Sequence, residues 1–257
     1  ERKTPVDGDA QWLVRERAAG TFARQLTLGR GLATDRISAD YSDGSNELPV
    51  QLAIASRLRP GAVFFDVGAN VGFFSVLGAR VVGDSGRVEA FEAVPANAAC
   101  VEANARRNRF EQVRVHAVAA GSEPGRATLN LAVHPGGAML ASAGVPPDSS
   151  GTIDVPVVVL DDLVEAGELP VPDLVKIDVE GAEEAVVAGL RRTIEAHHPA
   201  LVIEVDAVSR DVVEARVTGF VDILTDAGYR VEHLSGSYDS LDWNVAHMVA
   251  DPLGPSA

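Results

Sequence analysis

At 257 residues, with 46% hydrophobic residues and 24 glycines, the chain has the size and composition of one large globular domain, and no Gly/Ser/Pro linker separates two comparable cores. A formal net charge of −15 argues against nucleic acid or an anionic membrane surface as partner, because both reward a basic patch that releases counterions. The single cysteine, Cys100, forbids an internal disulfide, no apolar run reaches the ~18 residues of a membrane span, and residues 1–30 lack the apolar core of a secretory signal, so a soluble, cytoplasmic protein is expected.

In chain order, residues 1–48 read as an N-terminal extension in which Trp12, Leu13, Phe22 and Leu26 are spaced as in short amphipathic helices, a cap on the domain formed by residues 49–257. A helix over Val50–Leu58 stops at Arg59-Pro60-Gly61. Strand Val63–Val67, helix Phe73–Val81, strand Arg87–Phe91, helix Asn97–Asn108 and strand Val113–Ala117 then alternate. Repeated strand-helix-strand units imply a doubly wound α/β fold, a parallel sheet with right-handed crossovers. Arg106, Arg107 and Arg109, the one local basic run, decorate a helix end.

Residues 122–158 break the rhythm: Ala127–Val133 and Thr152–Val159 read as extra strands around a Gly-, Ser- and Pro-rich loop, a β-rich insertion able to fold over a site. Alternation resumes with strand Leu174–Ile177, helix Ala182–Ala196, strand Ala200–Val205 and helix Val212–Ala227, and strands Tyr229–Leu234 and Val245–Ala250 finish the sheet.

Chemistry concentrates at three strand ends. In Asp66-Val67-Gly68-Ala69-Asn70-Val71-Gly72, between a buried strand and a helix, Gly68 and Gly72 remove side chains where the backbone turns and approaches a ligand, and the helix start offers free N–H groups. Dinucleotide enzymes use a related turn, which keeps a nicotinamide-dependent oxidoreductase as an alternative. Against it, a pyrophosphate site wants three glycines, whereas Asp66 would repel phosphate and favour a cationic nucleoside such as S-adenosylmethionine. Glu92 closes the second strand about 20 residues after the glycine turn, where an acid can accept both hydroxyls of a ribose. Asn97 suits a helix N-cap.

The segments Asp66–Gly72, Phe91–Asn97 and Val175-Lys176-Ile177-Asp178-Val179-Glu180-Gly181-Ala182-Glu183 together resemble the signatures of the FkbM-type methyltransferases, from about Glu47 to Val205. The resemblance implies a class I, Rossmann-like fold with a mostly parallel seven-stranded sheet, S-adenosylmethionine as cofactor, and a small-molecule hydroxyl acceptor belonging to a natural product, sugar or lipid. It also implies that Asp66, Gly68, Asn70 and Gly72 line the methionine and ribose parts of the cofactor, that Glu92 holds the ribose, that Ala119 meets adenine and that Glu47 meets the ammonium. Asp178 would lie beside the transferred methyl with Glu180, either one serving as orienter or base for the acceptor hydroxyl.

Bland roles stand beside these. Glu180 and Glu183 can simply support a turn and helix start, where negative charge is favourable, and Lys176 can pair with a carboxylate or position substrate. Glu204 with Asp178 would offer two hard oxygens to Mg²⁺, though no dense carboxylate motif enforces a metal. Of the six histidines, His134 and His247 are placed to reach a cleft. A non-catalytic binding module on the same fold is the non-enzymatic alternative.

Overall fold

A computed structural model of the chain describes residues 48–132, 139–140, 149–207, 209–234 and 244–254. The expected N-terminal cap, Glu47 and His134 lie outside the described residues. Helix α1 (Leu48–Arg57) is followed by β1 (Val63–Val67), α2 (Phe73–Val82), β2 (Arg87–Phe91), α3 (Pro95–Asn108) and β3 (Val113–His116). The insertion holds β4 (Ala119–Ala120), β5 (Gly125–Ala132), β6 (Met139–Leu140) and β7 (Ser149–Val158). After it come α4 (Leu160–Glu165), β8 (Leu174–Ile177), α5 (Glu183–Ala188), α6 (Arg191–His197), β9 (Ala200–Asp206), α7 (Arg210–Asp226), β10 (Tyr229–Leu234) and β11 (Val245–Pro252).

Seven strands form the main sheet in the order β10-β11-β9-β8-β1-β2-β3. All neighbours pair in parallel except β11, which runs antiparallel to β10 and β9. From β1 the chain builds outward first through β2 and β3, then through β8 and β9 on the other side. The strand order therefore reverses at β1 and β8, and the crevice above their carboxyl ends is where open α/β sheets bind ligands.

Alternation along β1 divides the core. Phe64 points into the layer of α1 and α2, with Ile54, Leu77 and Val202. Phe65 points into the layer of α4 to α7, with Leu160, Val186, Ile194 and Phe220. Neighbouring side chains of a strand face opposite sides, and a strand buried on both faces reads as a continuous apolar run. Arg57 fastens α1 to β11, donating from Nε and Nη2 to the two carboxylate oxygens of Asp251 at 2.7 and 2.6 Å.

The insertion forms its own four-stranded sheet, β4-β7-β5-β6, in which β5 runs antiparallel to both of its neighbours. The helix expected over residues 182–196 is two helices, α5 and α6, and between them Gly189 passes as bare backbone, since a side chain there would lie 2.1 Å from the carbonyl oxygen of Gly121. Buried Asp161, from the unanticipated helix α4, then starts α6 by accepting hydrogen bonds from the backbone N–H of Arg192 and Thr193, both at 2.8 Å. That is N-capping from a residue distant in sequence.

Candidate functional site at the reversal of strand order

The turn after β1 is held by its neighbours. The backbone N–H groups of Gly68 and Ala69 both donate to the carbonyl of Phe91, at 2.9 and 3.0 Å, and Asp178 N donates to Val67 O at 3.0 Å. Gly68 has φ +79°, and a Cβ there would sit 1.6 Å from the carbonyl oxygen of Asp178. Only glycine lets the ends of β1 and β8 meet this closely. At Gly72 the absent side chain admits Val101, so that α3 packs against the start of α2.

A cavity of about 280 Å³ opens at this junction. Gly68, Asn70, Glu92, Ala119, Asp178 and Glu180 all line it. Of the other expected site residues, Gly72 and Asp66 are not among its lining.

Glu92 joins two loops. Its Oε2 accepts from Asn70 N at 2.7 Å and its Oε1 from Val94 N at 2.8 Å. With about four lone-pair sites on a carboxylate, capacity remains for a ligand hydroxyl. Burial raises the Glu92 carboxyl to about 7, against the opposing pull of the Val94 and Asn70 N–H groups and of Asn97. Asn97 is thus not the helix N-cap: α3 starts two residues earlier, at Pro95, and the Asn97 side chain hydrogen-bonds Glu92 instead. Asn70, in the left-handed region at φ +51°, has a buried Oδ1 with no hydrogen-bond partner among the described residues. An orphaned acceptor on a cavity wall is a place for a ligand's donor.

Asp66 lies one layer below. It is fully buried, accepts from Ser75 Oγ at 2.5 Å, and its other oxygen is 3.7 Å from Lys176 Nζ. Burial raises its carboxyl while Lys176 and Ser75 oppose the shift. Lys176 donates to Asp178 Oδ2 at 2.8 Å, so of the two open roles the lysine takes that of carboxylate partner.

The segment after β8 is clamped from outside. Glu183 is buried; its Oε1 accepts from Gly181 N at 2.9 Å and Val179 N at 3.3 Å, and its Oε2 accepts from Arg216 at 2.6 Å. Arg216 also holds Glu184 and donates to the carbonyl of Asp206 at 2.6 Å. Glu183 therefore supports the turn, whereas Glu180, at φ +54°, turns into the cavity wall. Burial, then the charges of Asp178, Asp206 and Glu204, push the Glu180 carboxyl up to about 10. A neutral carboxyl is the state that lets it donate a hydrogen bond to Asp206, whose own carboxyl burial raises.

Glu204 is engaged elsewhere than with Asp178: its Oε2 lies 2.5 Å from Nε2 of His247, its register partner on β11. Among the described residues no group of three or more His, Cys, Asp or Glu is placed to hold a metal ion. The far end of the cavity is apolar, with Phe91, Val118, Ala120, Leu129 and Val157 around Ala119. Leu129 and Val157 come from the inserted sheet, which thus forms one wall.

Sequence reasoning missed Asp206 and Arg216, whereas the wall comes from the insertion that was expected to fold over a site. Asp206 stands two residues beyond Glu204 at the end of its strand, so period-two alternation was a usable signal. No local signal marks Arg216, since it reaches the site through tertiary packing.

The model of the methyltransferase FkbM domain matches residues 66–231. The chain is 35% identical over 161 residues to the 31-O-demethyl-FK506 methyltransferase FkbM of Streptomyces tacrolimicus; that match covers 52% of this chain and 61% of that protein, so the chain spans about three fifths of this relative. A second kind of relative, the 18 kDa antigen of Mycobacterium leprae (strain TN), is 42% identical over 65 residues, 25% of this chain and 43% of the antigen. Among solved structures, methyltransferase FkbM from Methylobacillus flagellatus KT superposes with a TM-score of 0.51 at 20% identity, covering 79% of this chain and 58% of that one, a likeness of fold.

Proposed function

Since the chain belongs to the methyltransferase FkbM domain family and has the class I S-adenosylmethionine-dependent methyltransferase fold, we propose that it methylates a hydroxyl of a specialised metabolite, sugar or lipid in the cytoplasm. The observation that carries this reading is Glu92, a nearly buried carboxylate fastened by two backbone N–H groups at the cavity wall.

The residues present fit the cofactor. Glu92 would accept the ribose hydroxyls, Gly68 and the orphaned Oδ1 of Asn70 would meet the methionine part, and Phe91, Leu129 and Val157 would enclose adenine around Ala119. Bound there, S-adenosylmethionine supplies an electrophilic methyl group on a sulfonium. Asp178 orients the acceptor hydroxyl and takes its proton. Glu180, whose carboxyl is raised by burial and directed to Asp206, helps align the acceptor rather than acting as the base. The apolar wall excludes water from the adenine end. The Glu47 contact with the ammonium belongs to the same reading.

Residues 1–48 form a separate N-terminal extension in this reading.

Calorimetric titration with S-adenosylhomocysteine tests the proposal, followed by mass spectrometry of hydroxylated acceptors incubated with S-adenosylmethionine. The expected result is binding together with a gain of one methyl group. Binding of NADH in place of S-adenosylhomocysteine would return the oxidoreductase alternative, and a chain that binds neither would be the non-catalytic module.

A further inference from the structure

Below the cavity, Lys176 occupies a setting that strand packing alone does not explain. Its side chain is 4% exposed, on a strand whose other three residues are all apolar. The ammonium is 2.8 Å from Asp178 Oδ2, 3.7 Å from Asp66 Oδ1 and 4.8 Å from the centroid of the Phe74 ring. Asp66 and Lys176 are register partners on β1 and β8, and Asp66 is in turn held by Ser75 of α2. The chain of contacts thus runs from the start of α2, through both strands of the reversal, to the one member that lines the cavity.

From this arrangement we infer that Lys176 is a positioning residue, which holds the Asp178 carboxylate in place at the methyl-transfer end of the cavity. The inference rests on reading that cavity as the cofactor site. Its physical basis is crowding. Asp178 is faced by Asp66 from β1, by Glu180 on the following turn and by Asp206 from β9, and Lys176 is the cation that touches it. A partly buried carboxylate crowded by other acids is held in place by a paired cation. Seated beneath Asp178 and over the Phe74 ring, the ammonium does this from behind. Asp178 is left facing the position of the sulfonium.

The test is the ratio of S-adenosylmethionine to S-adenosylhomocysteine affinity, measured by calorimetry across pH in wild type, K176M and K176R. Both ligands carry the same ribose and adenine, so the titration of Glu92 cancels in the ratio. What remains is the charge felt by the sulfonium. Without the ammonium the Asp178 carboxylate is no longer held facing the sulfonium, and the K176M ratio should drop about tenfold relative to wild type. K176R, which keeps a cation, should follow wild type. A lysine with only a structural role would weaken both ligands together, so a K176M ratio that tracks wild type over the whole range overturns the inference. Should K176M fail to fold, the double variant D66N/K176Q carries the same test, because it also removes the buried acid that the lost lysine strands. A wild-type chain that binds neither ligand would instead overturn the cofactor reading, and the inference with it.

Discussion

The two halves of the site hold their acids in opposite ways. At the β1–β2 end, Glu92 is fixed by backbone N–H groups from Asn70 and Val94, so its geometry follows from the course of the main chain. At the β8–β9 end, Asp178, Glu180 and Asp206 crowd together and are held by side chains, Lys176 from below and the Arg216–Glu183 clamp from outside. Backbone fixing suits a group that, in the proposed reading, holds the ribose of the cofactor. Side-chain fixing suits the end where, in the proposed reading, charge changes during methyl transfer.

Substitutions at the β8–β9 end should strike turnover and stability, and those at the β1–β2 end should strike binding. The largest effect is expected from D178N, which removes the proton acceptor while keeping the shape. The kcat should fall by about 10²- to 10⁴-fold with little change in S-adenosylhomocysteine affinity by calorimetry. Loss of affinity with kcat preserved would reverse the assignment of the two halves.

E92Q should do the converse, weakening S-adenosylhomocysteine by roughly 10-fold to 100-fold, as expected from the ~1.5–3 kcal/mol of a hydrogen bond to a charged group. Its pH behaviour sharpens the contrast. Burial raises the Glu92 carboxyl from 4.5 to about 7, so the ligand-free fold carries a contribution that is fully present below 4.5 and is lost as pH rises through about 7. The shift corresponds to about 3 kcal/mol. Cofactor affinity should run the opposite way, strengthening as pH rises through about 7, because the ionised form accepts the ribose hydroxyls. Denaturant melts and calorimetry on the same samples would show the two opposed slopes in wild type and neither in E92Q.

A smaller effect is expected from R216M. It leaves Glu183 buried without its ion pair, costing about 3 kcal/mol in urea unfolding, while affinity for S-adenosylhomocysteine changes only a few-fold, since the residues at the ribose end do not touch Arg216. An affinity loss as large as that of E92Q would show that the clamp shapes the whole cavity.

The β1–β2 end was the more legible in sequence for the same physical reason that makes it rigid. Asp66 to Gly72 and Glu92 are local signals, a glycine turn between strand and helix and an acid at the next strand end, and the residues read from them meet at the Asn70–Glu92 bond. Even so, local reading could not show that Gly72 admits a neighbouring helix, and Asp66 lies a layer deeper than its place in the motif suggested. At the β8–β9 end, Asp178 and Glu180 were visible as a motif, but their neighbours come from 30 or so residues away, as the Arg216–Glu183 contact does.

By itself, the amino-acid order determined the alternation of strands and helices, the bounds of β1, β2, β8 and β10, and the placing of acids at strand ends, because burial pattern and turn chemistry act over a few residues. Only the tertiary structure decided that the insertion supplies an apolar wall, that Gly189 passes against Gly121, that Lys176 stands beside Asp66, and that burial raises the Glu180 carboxyl. Each of these depends on the distance between groups far apart in the chain, and on the loss of water around them, neither of which exists until the sheet has closed.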